Sequence, residues 1–372
     1  FSVLAEKLRL HIDESIPLTT DEKEVSIYDE TPVDLETFLY NKRYLNLSSK
    51  LSDPQLQLVQ AGTDILTLPS KYTEIVAMVG QFGGKDFSSS IITARNLYQL
   101  LCLKKPQQYY NLAWNSSIDV LNVAVNADQA REIFFSYLTQ LIDKAVIFKE
   151  LGPCRRTLRS IIFTEKNIRA FSGNSEDESW QGHNAIVIVL DEIDAFKSRD
   201  ELKYDKKRLS GAEGIYTAAR LLVQSRFPNI GKIILLSWPR YAGSFIMQRH
   251  ETGKVEGKTY VVCKSDGSPY ATWEFNPIRK KEDFIDEYLK DSESAKARLE
   301  CSPPLSENPF FPIKEVVLKA FDAQLEPNNK IVWLQTRPII EDPLIEQPQK
   351  YVRYIHVDLA IRHNRAALAI AH

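Results

Sequence analysis

Four stretches of this chain are apolar almost without a break and stop at glycine or polar residues. TEIVAMVG (73–80) ends in a glycine turn, DVLNVAVN (119–126) at Asn126, AIVIVL (185–190) at Asp191-Glu192, and KIILLS (232–237) at Ser237. A strand with one wet face alternates apolar and polar side chains. A continuous apolar run is what a strand covered on both faces requires. Segments with helical apolar spacing follow the runs, at 86–103, 127–146, 213–227 and 243–251. Strand and helix in alternation predict an α/β fold with a mainly parallel sheet and helices on both faces. Such sheets bind ligands beyond the C-terminal ends of their strands. The residues to watch are therefore Gly80 to Phe87, Asn126, Asp191-Glu192 and Ser237.

The remainder of the chain narrows the function class. With 372 residues, one large domain plus a smaller unit is the expectation, and 44% hydrophobic residues suffice for a sizeable core. No run of apolar residues is long enough to span a membrane, and no basic stretch precedes an apolar one near Phe1, so neither a membrane anchor nor a secretion signal is expected. Cys102, Cys154, Cys263 and Cys301 are far apart and lack a nearby histidine, which reads as scattered reduced thiols rather than a zinc site. A net charge of −2 argues against a dedicated duplex binder. Two local basic runs remain, CRRTLR (154–159) and KSRDELKYDKKRL (197–209), each either a solvated face or a phosphate contact.

VGQFGGKD (79–86) is close to the phosphate-loop pattern G-x-x-x-x-G-K-[ST], with Val79 at the first glycine and Asp86 at the hydroxyl. A strand running through glycines into a helix N-terminus aims backbone N–H groups and the helix dipole at one point, which suits phosphate. Gly83, Gly84 and Lys85 stand at that junction, with Lys85 neutralising phosphate charge. A carboxylate at position 86 is tolerable there only with a cation between it and the phosphates; otherwise Ser88 or Ser89 takes the metal or the phosphate. Asp191 and Glu192 follow the most apolar strand. Two carboxylates there fit a Mg2+ ligand and a water-activating base, or else an acidic helix cap. Ser237, ahead of Trp238-Pro239, either senses the γ-phosphate or only turns the chain.

In their order these elements resemble the large terminase subunit of tailed bacteriophages, the ATPase and nuclease that packages DNA. SDPQLQLVQ (52–60) is similar to its adenine-recognition segment, NADQAREIFF to the segment after the second core strand, and SWQGHNAIVIVLDE to the turn leading into the acidic motif. LLSWPR is similar to its coupling motif, YATWEFNP to its post-core segment, and YIHVDLAI to the first strand of its RNase H-like nuclease.

The resemblance covers about residues 34–372 and implies a P-loop ATPase with ATP and Mg2+ as cofactors. It implies catalytic Lys85, Glu192 and Ser237, and an ATP site over Gln57, Gln81, Phe82, Gly83, Gly84, Lys85, Asp86, Phe87 and Ser88. Asp191 and Asp86 would hold Mg2+, and Asp358 would be a nuclease ligand for Mg2+ or Mn2+. Arg155, Arg156, Lys206, Lys207 and Arg208 are the DNA-contact candidates. The implied partners are double-stranded DNA, the procapsid portal protein and the small terminase subunit, with the active form a homo-oligomeric ring in the cytoplasm of a bacterial host and no membrane.

The expected division is an N-terminal extension (1–50), the ATPase core (51–269), a helical and linker subdomain (270–349) and an incomplete nuclease start (350–372). Two departures from the family stand out. Gln81 and Phe82 occupy the loop positions where it often has an arginine, leaving Arg156, Arg159, Arg169 and Arg240 as candidate phosphate cations, and Asn364 stands at the next expected nuclease acid. A helicase-like DNA-dependent ATPase and a nucleotide-binding portal-docking module without turnover are the alternatives.

Overall fold

The computed structural model describes residues 26–125, 134–157, 159–174, 180, 182–196 and 211–303, and the backbone of 354–358 and 367–371. The strands are β1 (Glu74–Met78), β2 (Ile118–Ala124), β3 (Cys154–Arg156), β4 (Ser160–Phe163), β5 (Ile168–Asn174), β6 (Ala185–Asp191), β7 (Lys232–Ser237) and β8 (Thr259–Val261). They form one sheet of eight in the order β3-β4-β5-β2-β6-β7-β1-β8. From β5 to β8 every pairing is parallel, while β3 and β4 join by antiparallel pairing.

Successive side chains of each central strand enter opposite cores. Ile75, Ala77 and Val79 pack with Leu58, Val59, Ile91, Leu97 and Leu138 on one face. Val76 and Met78 pack with Ile215, Ala219, Val223 and Ile246 on the other. Helices Asp53–Gly62, Lys85–Cys102 and Ser136–Lys144 supply the first face; Gly211–Arg226 and Phe245–Gly253 supply the second. This double coverage is the physical reason the four runs carry no polar alternation. It also leaves the strand ends as the place where polar groups collect.

The far edge departs from the sequence expectation. CRRTLR, read as either a solvated face or a phosphate contact, begins with the edge strand β3, and nothing in the run pattern foretold β4, β5 or β8. These strands are short or half-wet: β3 has only its first residue partly covered, and β8 is three residues long. Their pairing comes from the sheet they join, not from local apolar content. The first part of the expected helix 127–146 lies outside the described residues; Ser136–Lys144 is helical. Two further strands, β9 (Tyr354–Asp358) and β10 (Ala367–Ala371), pair antiparallel where YIHVDLAI and AALAIAH predict strands.

Candidate nucleotide site at the strand ends

The variant loop turns one residue later than its pattern implies. Val79 still belongs to the sheet, donating its N–H to the Ser237 carbonyl at 3.0 Å, so the turn begins at Gly80. Gly83 N–H closes it onto Gly80 O at 3.2 Å. Phe82 and Gly84 both take positive φ, +64° and +87°, and Gly84 leads directly into helix Lys85–Cys102. The first-turn N–H groups of that helix have no intrahelical acceptor and carry the positive end of its dipole. Lys85 is buried, with Nζ donating to Val79 O at 3.3 Å and ion-paired with Glu192 Oε1 at 3.2 Å.

Strand β7 separates the loop strand from β6, and Ser237, Met78 and Asp191 finish their strands in near register. Asp191 is only 3% exposed and its Oδ1 has no hydrogen-bond partner. Burial, then the charges of Asp86 and Glu192, push its carboxyl well above the usual range, against the pull of Lys85. For Lys85 burial alone would lower the pKa, but Glu192, Asp191 and Asp86 together outweigh it and hold the ammonium above its ordinary value. Glu192 sits at φ +53°, the left-handed region that costs a non-glycine residue of order 1 kcal/mol or more. Strain and an orphaned buried oxygen in adjacent residues mark a place arranged for something other than stability.

The donor set fits a hard divalent cation. The Asp86 carboxyl lies near enough to Asp191 to raise its pKa, so two carboxyls stand beside one site. Mg2+ takes one or two carboxylates, several waters and nucleotide phosphates, so the two residues satisfy the protein's share. Ser88, the alternative ligand, has its hydroxyl turned back onto Gly84 O at 3.1 Å, and Ser89 onto Asp86 O at 2.8 Å. Ser237 Oγ donates to Trp238 O at 3.1 Å and accepts weakly from Asp194 N–H at 3.4 Å, which ties the β7 end to the turn after Glu192.

The remaining site candidates divide by position. Gln57 lies against Tyr270, whereas Gln55, two residues earlier, brings its amide 3.5 Å from the place a Cβ would occupy at Gly84, with Asn276 at 3.8 Å. Gln55 was legible: Ser52 and Gln55 form a capping box at the start of helix Asp53–Gly62. Phe82 is 53% exposed and stacks with Phe284 at 6.1 Å, while Phe87 meets Tyr137 edge-on.

Of the arginines, Arg169 grips Asp119 with two nitrogens at the opposite end of the sheet. Arg156 is paired with Asp143, and exposed Arg159 precedes β4. From β4 the loop strand is five strand positions away, roughly 24 Å, too far to serve the loop of the same chain. Arg240 stacks over Trp238 just beyond β7. Sequence reading missed Arg298, whose Nε donates to Gln81 Oε1 at 2.7 Å. It lies in a polar helix with no local signal. Arg155 is exposed on β3; Asn126, Lys206, Lys207, Arg208 and the side chain of Asp358 lie outside the described residues.

The HK97 bacteriophage large terminase aligns with a TM-score of 0.51 at 15% identity, over 76% of this chain and 57% of that one. That likeness shows the fold, the one the order of motifs led us to expect. Among curated proteins, the uncharacterized protein MJ0330 of Methanocaldococcus jannaschii is 25% identical over 346 residues, covering 85% of this chain and 58% of the relative. The chain thus spans a little over half the length of the curated relative it matches. Among the described residues no helix is long and apolar enough to cross a membrane. The family described as "Uncharacterized protein MJ0330, N-terminal P-loop domain" matches residues 4–301, and this chain belongs to it.

Proposed function

We propose that this chain is the ATP-hydrolysing motor of a DNA translocase of the packaging type. The observation that carries the reading is the buried, unsatisfied Asp191 beside Asp86, with the Lys85–Glu192 pair next to it at the mouth of a phosphate loop. In this reading the first-turn N–H groups and Lys85 receive the β- and γ-phosphates. Bound Mg2+, held by Asp191 and Asp86, would neutralise phosphate charge. Lys85 gives up its pairing with Glu192 to reach phosphate, which frees the Glu192 carboxylate to accept the proton of the attacking water. Ser237, linked through Asp194 to the chain after Glu192, passes the change in the site to β7 and its following loop. Gln55, Gln57 and Asn276 are the polar side chains available to the base and ribose.

The wider activity is read from the fold likeness to a large terminase and from the arginine-bearing edge strand. The motor would move double-stranded DNA into a procapsid through a portal protein, with a small terminase subunit as partner, as a ring of copies in the cytoplasm of the host cell. Residues 51–269 would be the core, 270–349 a helical and linker unit and 350–372 the opening of a nuclease containing Asp358. Exposed Arg155 and the run at 206–208 would meet DNA phosphates, and in a ring Arg156, Arg159 or Arg240 would serve a neighbour's nucleotide.

The test is DNA-stimulated ATP hydrolysis by the purified chain, with Lys85→Ala and Glu192→Gln beside it. We expect Lys85→Ala to lose nucleotide binding and Glu192→Gln to bind ATP without turnover. Parent-like hydrolysis by Glu192→Gln would falsify the assignment of the base. ATP binding with no hydrolysis by the parent protein, with or without DNA, would favour a docking module over a motor.

A further inference from the structure

The first half of the phosphate loop is held by a part of the chain far away in sequence. Gly80 N–H donates to Tyr270 O at 3.1 Å, and Gln81 N–H to Arg298 O at 2.6 Å. Thr272 Oγ donates to Gln81 O at 2.6 Å, and Arg298 Nε to the Gln81 side-chain oxygen at 2.7 Å. Gln81 therefore has its N–H, its carbonyl and its amide oxygen all bonded to residues 272–298. At Gly80 an added Cβ would come within 2.4 Å of Leu299 O and 2.5 Å of Thr272 Oγ, so only glycine permits this approach. Arg298 is backed by Glu287 at 3.5 Å and is about one-third exposed.

A loop of glycines and positive-φ residues has many accessible conformations, and only one directs its N–H groups at a single anion. Three hydrogen bonds to one residue remove most of that freedom. The bond from Arg298 involves a charged donor and is the strongest of the set in kind. We propose that Arg298 is a positioning residue of the nucleotide site. Acting through Gln81, it holds loop residues 80–83 in the shape that receives phosphate, which makes the helices of 272–300 part of the ATP site rather than packing behind it. This rests on the reading of the loop as an ATP site.

The experiment measures binding of a fluorescent ATP analogue with Mg2+, and steady-state hydrolysis, for the parent, Arg298→Ala, Arg298→Lys and the double exchange Gln81→Arg/Arg298→Gln. The exchange restores the same hydrogen bond with donor and acceptor swapped. Arg298→Ala is expected to weaken binding and raise KM roughly ten-fold, the usual worth of a charged hydrogen bond, with kcat nearly unchanged. Arg298→Lys is expected to recover part of the loss and the double exchange most of it. If Arg298→Ala does not fold, Gln81→Ala, which leaves the helix intact, is expected to show the same rise in KM. Parent-like binding by Arg298→Ala or Gln81→Ala, or no recovery in the double exchange, would overturn the proposal while leaving the ATP site standing. Failure of the parent itself to bind the analogue would instead remove the ATP reading, and this inference with it.

Discussion

The two ends of the central sheet handle buried charge in opposite ways. At the N-terminal ends, Asp119 on β2 is fully buried yet takes two bonds from Arg169, one shared with His183 and one from the Asn184 N–H. Burial would raise its pKa, but these partners prevail and hold it below the usual value. Glu74, opening β1, is likewise met by Tyr216 at 2.6 Å and Arg249 at 2.6 Å. At the C-terminal end of β6, the strand beside β2, Asp191 is equally buried, faces other carboxylates and keeps one oxygen without a partner. A carboxylate whose partners are already in place contributes to stability. One left short of partners is a destabilising group that a cation and a phosphate would satisfy.

The largest effect that could break this contrast is chemical. Glu192→Gln should lower ATP hydrolysis at least about 100-fold, the scale of losing a general base, with nucleotide binding retained. Next are two conservative truncations with opposite signs, read by urea unfolding of the nucleotide-free protein. Asp119→Ala should cost about 3 kcal/mol because it strands a half-buried guanidinium. Asp191→Asn should instead stabilise by about 1–3 kcal/mol while abolishing Mg2+-dependent nucleotide binding. If both destabilise alike, the two ends do not differ as described.

The pH dependence sharpens the same comparison at smaller amplitude. Asp191 has a raised folded pKa, so its favourable contribution is complete below the unfolded value near 4 and is lost as pH rises through the folded value. Asp194, pushed up to about 6 mainly by burial, acts in the same direction. Asp119 has a depressed pKa, and its contribution is present above the unfolded value and lost as pH falls below it. Without metal, stability should therefore decline as pH rises from about 4 toward neutrality. The slope should be shallower in Asp191→Asn, where the Asp194 part remains, opposed by buried His250, whose lowered pKa makes stability rise with pH. The smallest effect belongs to the surface pair of Arg156 and Asp143, which is more than one-third exposed on average. Asp143→Ala should change stability by less than about 1 kcal/mol.

How much of this was legible depends on the range of the forces involved. Continuous apolar runs reported β1, β2, β6 and β7, because burial on both faces acts on every residue of a strand. The same logic gave their ends, and with them Lys85, Asp86, Asp191 and Glu192 as one neighbourhood. The edge strands escaped because β3 and β8 are pinned by a neighbour's backbone rather than by their own side chains. Gln57 was the residue expected at the base; the Ser52–Gln55 capping box can be read in the sequence, but that Gln55 faces Gly84 shows only once helix Asp53–Gly62 is seated against the loop.

By itself, then, the sequence determined the layering of the sheet, the strand ends and the acidic and basic groups placed there, all consequences of local pattern and burial. Only the tertiary structure decided that Val79 stays in the sheet and that Ser88 turns its hydroxyl back onto the Gly84 carbonyl. It alone shows that Asp191 is left unsatisfied while Asp119 is not, and that a guanidinium 217 residues from Gln81 reaches the loop. Those are matters of which hydrogen-bond partner arrives in three dimensions, and separation along the chain does not encode them.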